Sequence, residues 1–180
     1  NQYLPERMVN MLPPAITARL GLGLLEVSPA LSFGFGCDAQ GEVVDVSVQR
    51  TWVRVRRLSY EAAEGRLDEA PFAGMRGLVE RFRRRRQAND AAGIELPEVS
   101  LRVRNGEVII RPLARLESRA LVMDAMLMAG EAVAVLCRDR GIPIPYATQA
   151  PPDKIEQPLD LAGMYAYRRR FKPSRLVGEP

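Results

Sequence analysis

The sequence predicts an α+β fold, with a mixed, largely antiparallel sheet of long hairpins packed by several helices, one of them central and buried. Two hairpin patterns support the sheet: "EVVDVSVQRTWVRVRR" with the strand before it, and "SLRVRNGEVIIRPLA". The central helix is predicted by "ALVMDAMLMAGEAVAVLC", which is apolar nearly all the way round. These hairpins and separate helices do not alternate as regular βαβ units. At 180 residues the chain is expected to form a single domain, residues 1–180.

The first part of the chain predicts a loop, a short helix and a long hairpin. We expect "YLPERMVNMLPP" to be a loop that its methionines and prolines pin to the core. Pro14 favours the first turn of a short helix that stops at Gly21. The strand "ALSFGFGCD" then reaches the tight turn "DAQG" and its partner strand. Strict alternation along that partner places Val43 on the face opposite Val46.

Two helices are expected next. Ser59 has the side chain of an N-cap for the segment "YEAAEGRL". A longer helix is predicted from about Pro71 to Asn89, with an apolar stripe on one face and the four-arginine run 83–86 near its end. Cations near a helix C-terminus complement the helix dipole, so the run is interpreted first as a solvated helix end. Direct contact with nucleic acid is the alternative.

The second half begins with the strongest local signal in the sequence. Asn105-Gly106 joins two alternating runs, and this dipeptide accepts the positive φ angles of a type I′ turn. The apolar helix is expected from about Glu117 to Asp139. "IPIPYATQAPP" predicts an extended segment, and "PLDLAGMYAYRRRFKPSRL" predicts a last helix with a basic finish.

The charged residues are unusual in kind. Of 26 basic residues only Lys154 and Lys172 are lysine, and the net charge is +4. An excess of arginine permits a polyanionic partner without requiring one, and base composition of the genome explains it equally well. The chain contains no histidine, so hydrolysis through imidazole and zinc ligation by histidine are excluded for this segment.

The cysteines and the apolar stretch bear on location. Cys37 and Cys137 stand apart without a partner motif, so we expect two buried thiols in a reducing compartment, the cytoplasm. The long apolar stretch contains Asp124 and Glu131, which are unfavourable at a bilayer centre, and a membrane partner is therefore not expected. The chain begins with Asn and ends on "VGEP", so we expect it to be part of a longer polypeptide.

Three residues are candidates for binding. Asp124 lies seven residues before Glu131 on the apolar helix, so the two carboxylates share one face. Asp124 is expected either to pair with Arg119, Arg138 or a strand arginine, or to line a polar ligand cleft. Tyr3 and Tyr60 fall at loop or helix-start positions, where a ring can stack on a single-stranded nucleic acid or cap the edge of a core.

Several strings in series resemble one family. "YLPERMVNMLPPAI" is similar to the "YLP…PMLP" segment of the ribonuclease II and ribonuclease R exoribonucleases, in their RNB catalytic domain. "RLSYEAA", "RRRRQANDAAGIELPE" and "SRALVMDAMLMAGEAVA" resemble later motifs of that domain in the same order. The resemblance implies that residues 1–180 are the central portion of such a domain.

The family resemblance also implies an activity. Members hydrolyse single-stranded RNA processively from the 3′ end to nucleoside 5′-monophosphates, using two magnesium ions. In the family the metal-binding aspartates lie before the YLP segment and a catalytic arginine loop lies after the final "EP". The resemblance therefore implies an Mg²⁺-dependent exoribonuclease with no catalytic residue and no metal ligand in this segment, and no obligate protein partner.

The same comparison implies roles for individual residues. Tyr3 matches the tyrosine that packs on RNA near the cleavage site, and Tyr60 the one that holds the terminal nucleotides and sets the smallest product. Asp124 matches the second acid of a pair whose first member, a contact of the ribose 2′-hydroxyl, falls on Met123. Leu96 and Gln149 replace a base-clamping aromatic residue and a histidine.

These departures leave two further hypotheses open. The first is a catalytically impaired RNA-binding or scaffold relative of the same family. The second is an unrelated α+β protein that binds a partner through its methionine-rich helix, a hypothesis that burial of Met123, Met126 and Met128 would weaken.

Overall fold

The computed structural model describes residues 2–91, 93–94, 96–150, 158 and 160–178. In these residues the strands pair as four two-stranded antiparallel ladders among five helices, which confirms the α+β class. The elements in chain order are β1 (Gln2–Tyr3), β2 (Met8–Val9), α1 (Pro14–Leu20), β3 (Ser28–Cys37), β4 (Val43–Val53), α2 (Tyr60–Glu64), α3 (Phe72–Ala88), β5 (Val99–Arg104), β6 (Glu107–Pro112), α4 (Glu117–Asp139), β7 (Tyr146–Thr148), α5 (Leu161–Arg168) and β8 (Arg175–Val177).

The long hairpin β3–β4 forms as predicted, with one irregularity. Its register shifts between Gly34 and Gly36, where β4 carries one more residue than β3 and Asp45 adopts a φ of 54°. This β-bulge interrupts the alternation of side chains. As a result Val43 lies in the core and Val46 packs against the same core. The prediction that these two valines face opposite sides is wrong.

The second hairpin follows its sequence signal closely. Asn105 and Gly106 have φ angles of 52° and 81°, the two positive values that a type I′ turn requires. Arg104 and Glu107 face each other where β5 and β6 leave this turn. The prediction of a hairpin here is confirmed.

The two long helices build the core. Helix α4 has the predicted bounds, and α3 runs between Pro71 and Asn89, its N-cap and C-cap residues. Phe82 of α3 and Ala132 of α4 have no exposed surface, and Met128 is almost completely buried. Close packing of α3, α4 and the β3–β4 hairpin around these side chains forms the core.

Helix α4 is central, and its burial is one-sided. It packs on α2, α3, β3 and β4 and buries Leu121 and Met128 among others. Met123 and Met126 are 57% and 71% exposed. By length and composition alone this helix would suit a membrane, but its contacts are those of a core helix with one face left open.

The ends of the described chain are small ladders. β1 pairs with β2, and Val103 N donates a 3.1 Å hydrogen bond to Pro5 O, which attaches this N-terminal hairpin to β5. Met8 and Met11 are exposed, so the prediction that methionines pin the segment to the core is wrong. β7 pairs with β8, and the final prolines of "IPIPYATQAPP" lie outside the described residues.

The two cysteines differ in environment. Both are free thiols; Cys137 is buried, whereas Cys37 is half-buried next to the core. The predicted burial is thus complete for Cys137 and partial for Cys37.

Candidate nucleic-acid interface

Tyr60 is held in place at the start of α2. The Ser59 hydroxyl accepts a 3.1 Å hydrogen bond from Ala62 N, which caps the helix as predicted. The Ser118 hydroxyl donates a 2.9 Å bond to Tyr60 O. The Arg119 guanidinium lies over the Tyr60 ring at 4.4 Å from its centroid, and Tyr60 remains 38% exposed. One ring face is therefore covered by a cation while part of the ring reaches solvent.

The junction of α2 and α4 depends on Glu64. Its carboxylate accepts bonds from Ser118 N at 2.7 Å and Glu117 N at 3.0 Å, two of the free amides at the start of α4. These backbone bonds, first Ser118 and then Glu117, lower the pKa of Glu64 below its usual value. A carboxylate 53 residues earlier in the chain thus caps α4 and fixes Tyr60 relative to that helix.

Asp124 is buried, at 5% exposure, and forms an ion pair with Arg83 of α3. Arg83 Nε donates to Asp124 Oδ2 at 2.6 Å, and Nη2 of the same arginine contacts the same oxygen. The expectation of an ion pair is correct, but the predicted partners, Arg119, Arg138 or a strand arginine, are wrong. The reason is the tertiary packing. Because α3 packs on α4, Arg83 of the arginine run pairs with Asp124, and the arginines of α4 itself, Arg119 and Arg138, do not.

Arg85 forms a second link between the same helices. Its Nη2 donates to Glu131 Oε2 at 2.6 Å, and its Nη1 pairs with Glu42 in the β3–β4 turn. Burial lowers the pKa of Arg85, but hydrogen bonds and charge from Glu131 and Glu42 outweigh it, so the pKa rises. Arg84 is the exposed member of the run. The interpretation of the run as a solvated helix end is therefore wrong for Arg83 and Arg85.

Tyr3 lies apart from this junction. It is 76% exposed on β1 of the N-terminal hairpin, which joins β5 through Pro5. Tyr60 and Asp124 are instead both placed by α4, through Ser118 and through the helix itself. Tyr60, on α2, thus contacts α4, the helix that carries Asp124, whereas Tyr3 lies apart from both on the exposed N-terminal hairpin.

A cleft of about 880 Å³ opens where α3, α4 and the β7 segment meet. None of the three predicted binding residues lines it. Arg86 and Arg138 give it positive charge, Glu131 gives it a carboxylate, and Gln149 also lines it. Gln149 Nε2 donates a 2.6 Å bond to Lys172 O. The sequence carried no sign of this cleft other than the arginine run, because its walls come from separate parts of the chain between Glu42 and Ser174.

The other two departures from the family pattern lie elsewhere. Met123 occupies an exposed position one residue before buried Asp124, so an apolar group stands at the surface where the family resemblance implies a carboxylate. Leu96 is half-buried in the connection to β5.

The described residues do not fit a metal centre. Among them no three His, Cys, Asp or Glu side chains come together in the way that a bound ion needs. Asp124, Glu131 and Glu42 are each engaged by an arginine instead.

Comparison with known proteins finds ribonucleases among the proteins that resemble this chain. A protein of Synechocystis sp. (strain ATCC 27184 / PCC 6803 / Kazusa), described as an uncharacterized ribonuclease, is 32% identical over 163 residues, which is 84% of this chain and 24% of that protein. Two structures of Mycoplasma genitalium RNase R, one in complex with ribose methylated single-stranded RNA and one in the apo form, each superpose with a TM-score of 0.59 at 17% identity. Each superposition covers 71% of this chain and 22% of RNase R.

The chain thus spans about a quarter of the length of the relatives it matches. The similarity to RNase R shows a shared fold. The family model of the RNB domain matches residues 2–165, nearly the whole chain. The resemblance stated from the sequence is confirmed: the chain belongs to the RNB domain family.

Proposed function

We propose that the protein containing this chain is a ribonuclease that shortens single-stranded RNA from its 3′ end, processively and in the cytoplasm, releasing nucleoside 5′-monophosphates. The observation that carries the proposal is the RNB domain match over residues 2–165. The Synechocystis relative, described as a ribonuclease, and the single-stranded RNA bound to Mycoplasma RNase R both support RNA as the class of substrate.

The proposed RNA contacts are made by two tyrosines. Tyr60 presents a ring that is half covered and fixed at the junction of α2 and α4, which suits stacking with a base near the 3′ end. Tyr3 presents an exposed ring on the N-terminal hairpin. Stacking on an aromatic ring contributes about 1–3 kcal/mol per base.

Asp124 is proposed as a polar contact of the sugar. Its carboxylate is already held by Arg83, and a carboxylate has about four lone-pair sites, enough to accept from a second donor. The proposed contact therefore requires the ion pair to stay formed while the sugar hydroxyl donates to the same group.

The metal ions of the proposed reaction need ligands from elsewhere. Magnesium supplies activation of the attacking water and stabilisation of the leaving oxygen when it is bound. The described residues hold no suitable cluster. We propose that the ligands lie outside this segment, which holds RNA through Tyr3 and Tyr60.

The complete protein tests the proposal. A 5′-labelled RNA with a single-stranded 3′ tail is incubated with magnesium, and the products are separated on a denaturing gel. We expect a ladder of one-nucleotide steps that ends in a short product, and Tyr60→Ala is expected to change the length of that product. A folded preparation that leaves the tail intact contradicts the proposed activity.

A second candidate function is an RNA-binding relative with impaired catalysis. The observation that favours it is the exposed apolar side chain of Met123 where the resemblance implies a carboxylate. The same preparation distinguishes the two functions, since this candidate binds the tailed RNA in magnesium and leaves its length unchanged.

A further inference from the structure

Arg119 is a cation with no carboxylate partner among the described residues, and its charge is not neutralised by an ion pair there. Its Nε is buried and has no hydrogen-bond partner there. The Arg119 guanidinium lies over the Tyr60 ring, at 4.4 Å from its centroid. The pKa of nearby Glu61 is lowered first by its own backbone amide, then by the Ser59 side chain and also by the charge of Arg119. A guanidinium has five N–H donors, and buried donors are normally satisfied.

The other arginines of this region are engaged differently. Arg76 binds Glu117 at 2.9 Å and Asp68 at 2.6 Å, and Arg83 and Arg85 each bind a carboxylate of α4. Arg119, on the same helix as those carboxylates, lies over an aromatic ring instead. Among the described residues no carboxylate forms an ion pair with the Arg119 guanidinium, so its charge is left for an anion that comes from outside, which the nitrogens other than the buried Nε would bind.

The geometry narrows the class of anion. The guanidinium is stacked on one face of a tyrosine that is itself partly exposed, so a bound ligand meets a cation and an aromatic surface side by side. A nucleotide offers the two matching groups, a phosphate and a base. Arg is well suited to phosphate because its planar fork donates two parallel hydrogen bonds.

We propose that Arg119 and Tyr60 form one nucleotide site, in which Arg119 binds a phosphate of single-stranded RNA while the adjacent base stacks on the uncovered part of the Tyr60 ring. This inference rests on the proposed function and adds to it a phosphate-binding residue. The stacked guanidinium also fixes the ring, so that phosphate and base are bound at a set spacing.

Binding measured without catalysis tests the site. The complete protein is titrated into fluorescent single-stranded RNA in EDTA, at several salt concentrations. Each phosphate contact to a single strand adds about 0.7 to the slope of log affinity against log salt. Arg119→Gln is expected to weaken binding roughly tenfold and to make the slope shallower by about 0.7.

Two further variants separate a phosphate contact from a structural role. Arg119→Lys keeps the charge and loses the planar fork, so it should bind more weakly than wild type with the slope retained. Arg54→Gln removes an exposed arginine that pairs with exposed Glu26. Its affinity for RNA should stay within about twofold of wild type and its salt slope within about 0.2, as expected when an exposed ion pair is removed.

The outcomes are distinct. An unchanged salt slope in folded Arg119→Gln, or an equal loss of slope in Arg54→Gln, overturns the assignment of Arg119 while the wild-type protein still binds and shortens RNA. A wild-type protein that neither binds nor shortens RNA overturns the proposed function and this site together.

Discussion

Asp124 is the buried charged residue among those that the structure describes, and its environment decides what a mutation there reports. Its carboxylate is held by Arg83, which is itself 40% exposed through its side chain. Removing one member of a buried pair leaves the other without a counter-charge. A change at Asp124 therefore acts on the packing of α3 against α4 before it acts on any ligand.

We expect Asp124→Ala to lower the free energy of unfolding by about 2 kcal/mol, less than the 3–5 kcal/mol typical of fully buried pairs because Arg83 is partly hydrated. Urea denaturation of Asp124→Ala, Arg83→Ala and the double variant gives the coupling energy. The matched control is Glu26→Gln, in the exposed pair with Arg54, with a change below about 0.5 kcal/mol. Additive effects at 83 and 124 would contradict a direct interaction.

At the scale of elements, Glu64 makes the start of α4 sensitive to pH. Its pKa is lowered in the folded protein by the amides of Ser118 and Glu117. A carboxyl group with a lowered pKa contributes stability that is present above its unfolded pKa, about 4.3, and is lost as pH falls through the folded value. The capping interaction is therefore complete at neutral pH and absent in strong acid.

We expect Glu64→Gln to be less stable than wild type at pH 7 and to approach wild-type stability as pH falls below the unfolded pKa of about 4.3 and through the lowered pKa of Glu64 in the folded protein. Urea midpoints between pH 3 and pH 8 measure this difference. Glu107→Gln, which removes an exposed carboxylate from β6, serves as the control. A stability difference for Glu64→Gln that does not vary with pH would exclude the carboxylate as the cause.

The β5–β6 turn provides a second element-scale prediction. Gly106 has a φ of +81° and open space where a Cβ would be placed, so Gly106→Ala is disfavoured by backbone conformation alone. The expected loss is about 1–2 kcal/mol. Gly65→Ala is the matched control, since Gly65 has a φ of −72° and equally open space, and chemical denaturation should find it neutral or slightly stabilising. Equal losses at both positions would point to a cause other than φ.

The elements also show which signals the sequence carried. The turn at Asn105-Gly106 was predictable because the local backbone conformation determines it, and the bounds of α3 and α4 were predictable because their apolar residues recur at helical spacing. The bulge at Asp45 was not, since alternation carries no sign of a positive φ at that residue. The site was predictable as separate residues: Tyr60 at a helix start was found, whereas its contact with Arg119 depends on how α2 meets α4.

At the scale of the whole molecule, Arg85 ties together three parts of the fold. It extends from α3 to Glu131 on α4 and to Glu42 in the β3–β4 turn, and it lines the cleft of about 880 Å³. The hairpin, the two core helices and the cleft wall thus meet at one side chain. The arrangement of these parts should be more sensitive to Arg85 than to its neighbours in the arginine run.

We expect Arg85→Gln to destabilise the fold by about 2–3 kcal/mol, because it leaves Glu131 and Glu42 without their shared cation. Arg84→Gln, at the exposed position next to it, should change stability by less than about 0.5 kcal/mol. Thermal and urea denaturation of the two variants make the comparison. Similar losses in both would mean that the charge of the run, and not the contacts of Arg85, stabilises the protein.

The two ion pairs between α3 and α4 also restrict how related sequences can diverge. They join positions 83 with 124 and 85 with 131, which are 41 and 46 residues apart in the chain. Substitution of one partner alone leaves the other charge without a counter-charge and lowers stability. Replacement of both partners by apolar residues of similar volume is often neutral for stability. Among homologues these positions should therefore covary in pairs. A sequence that changes from the ion pair to an apolar pair must pass through a single substitution that is less stable than either.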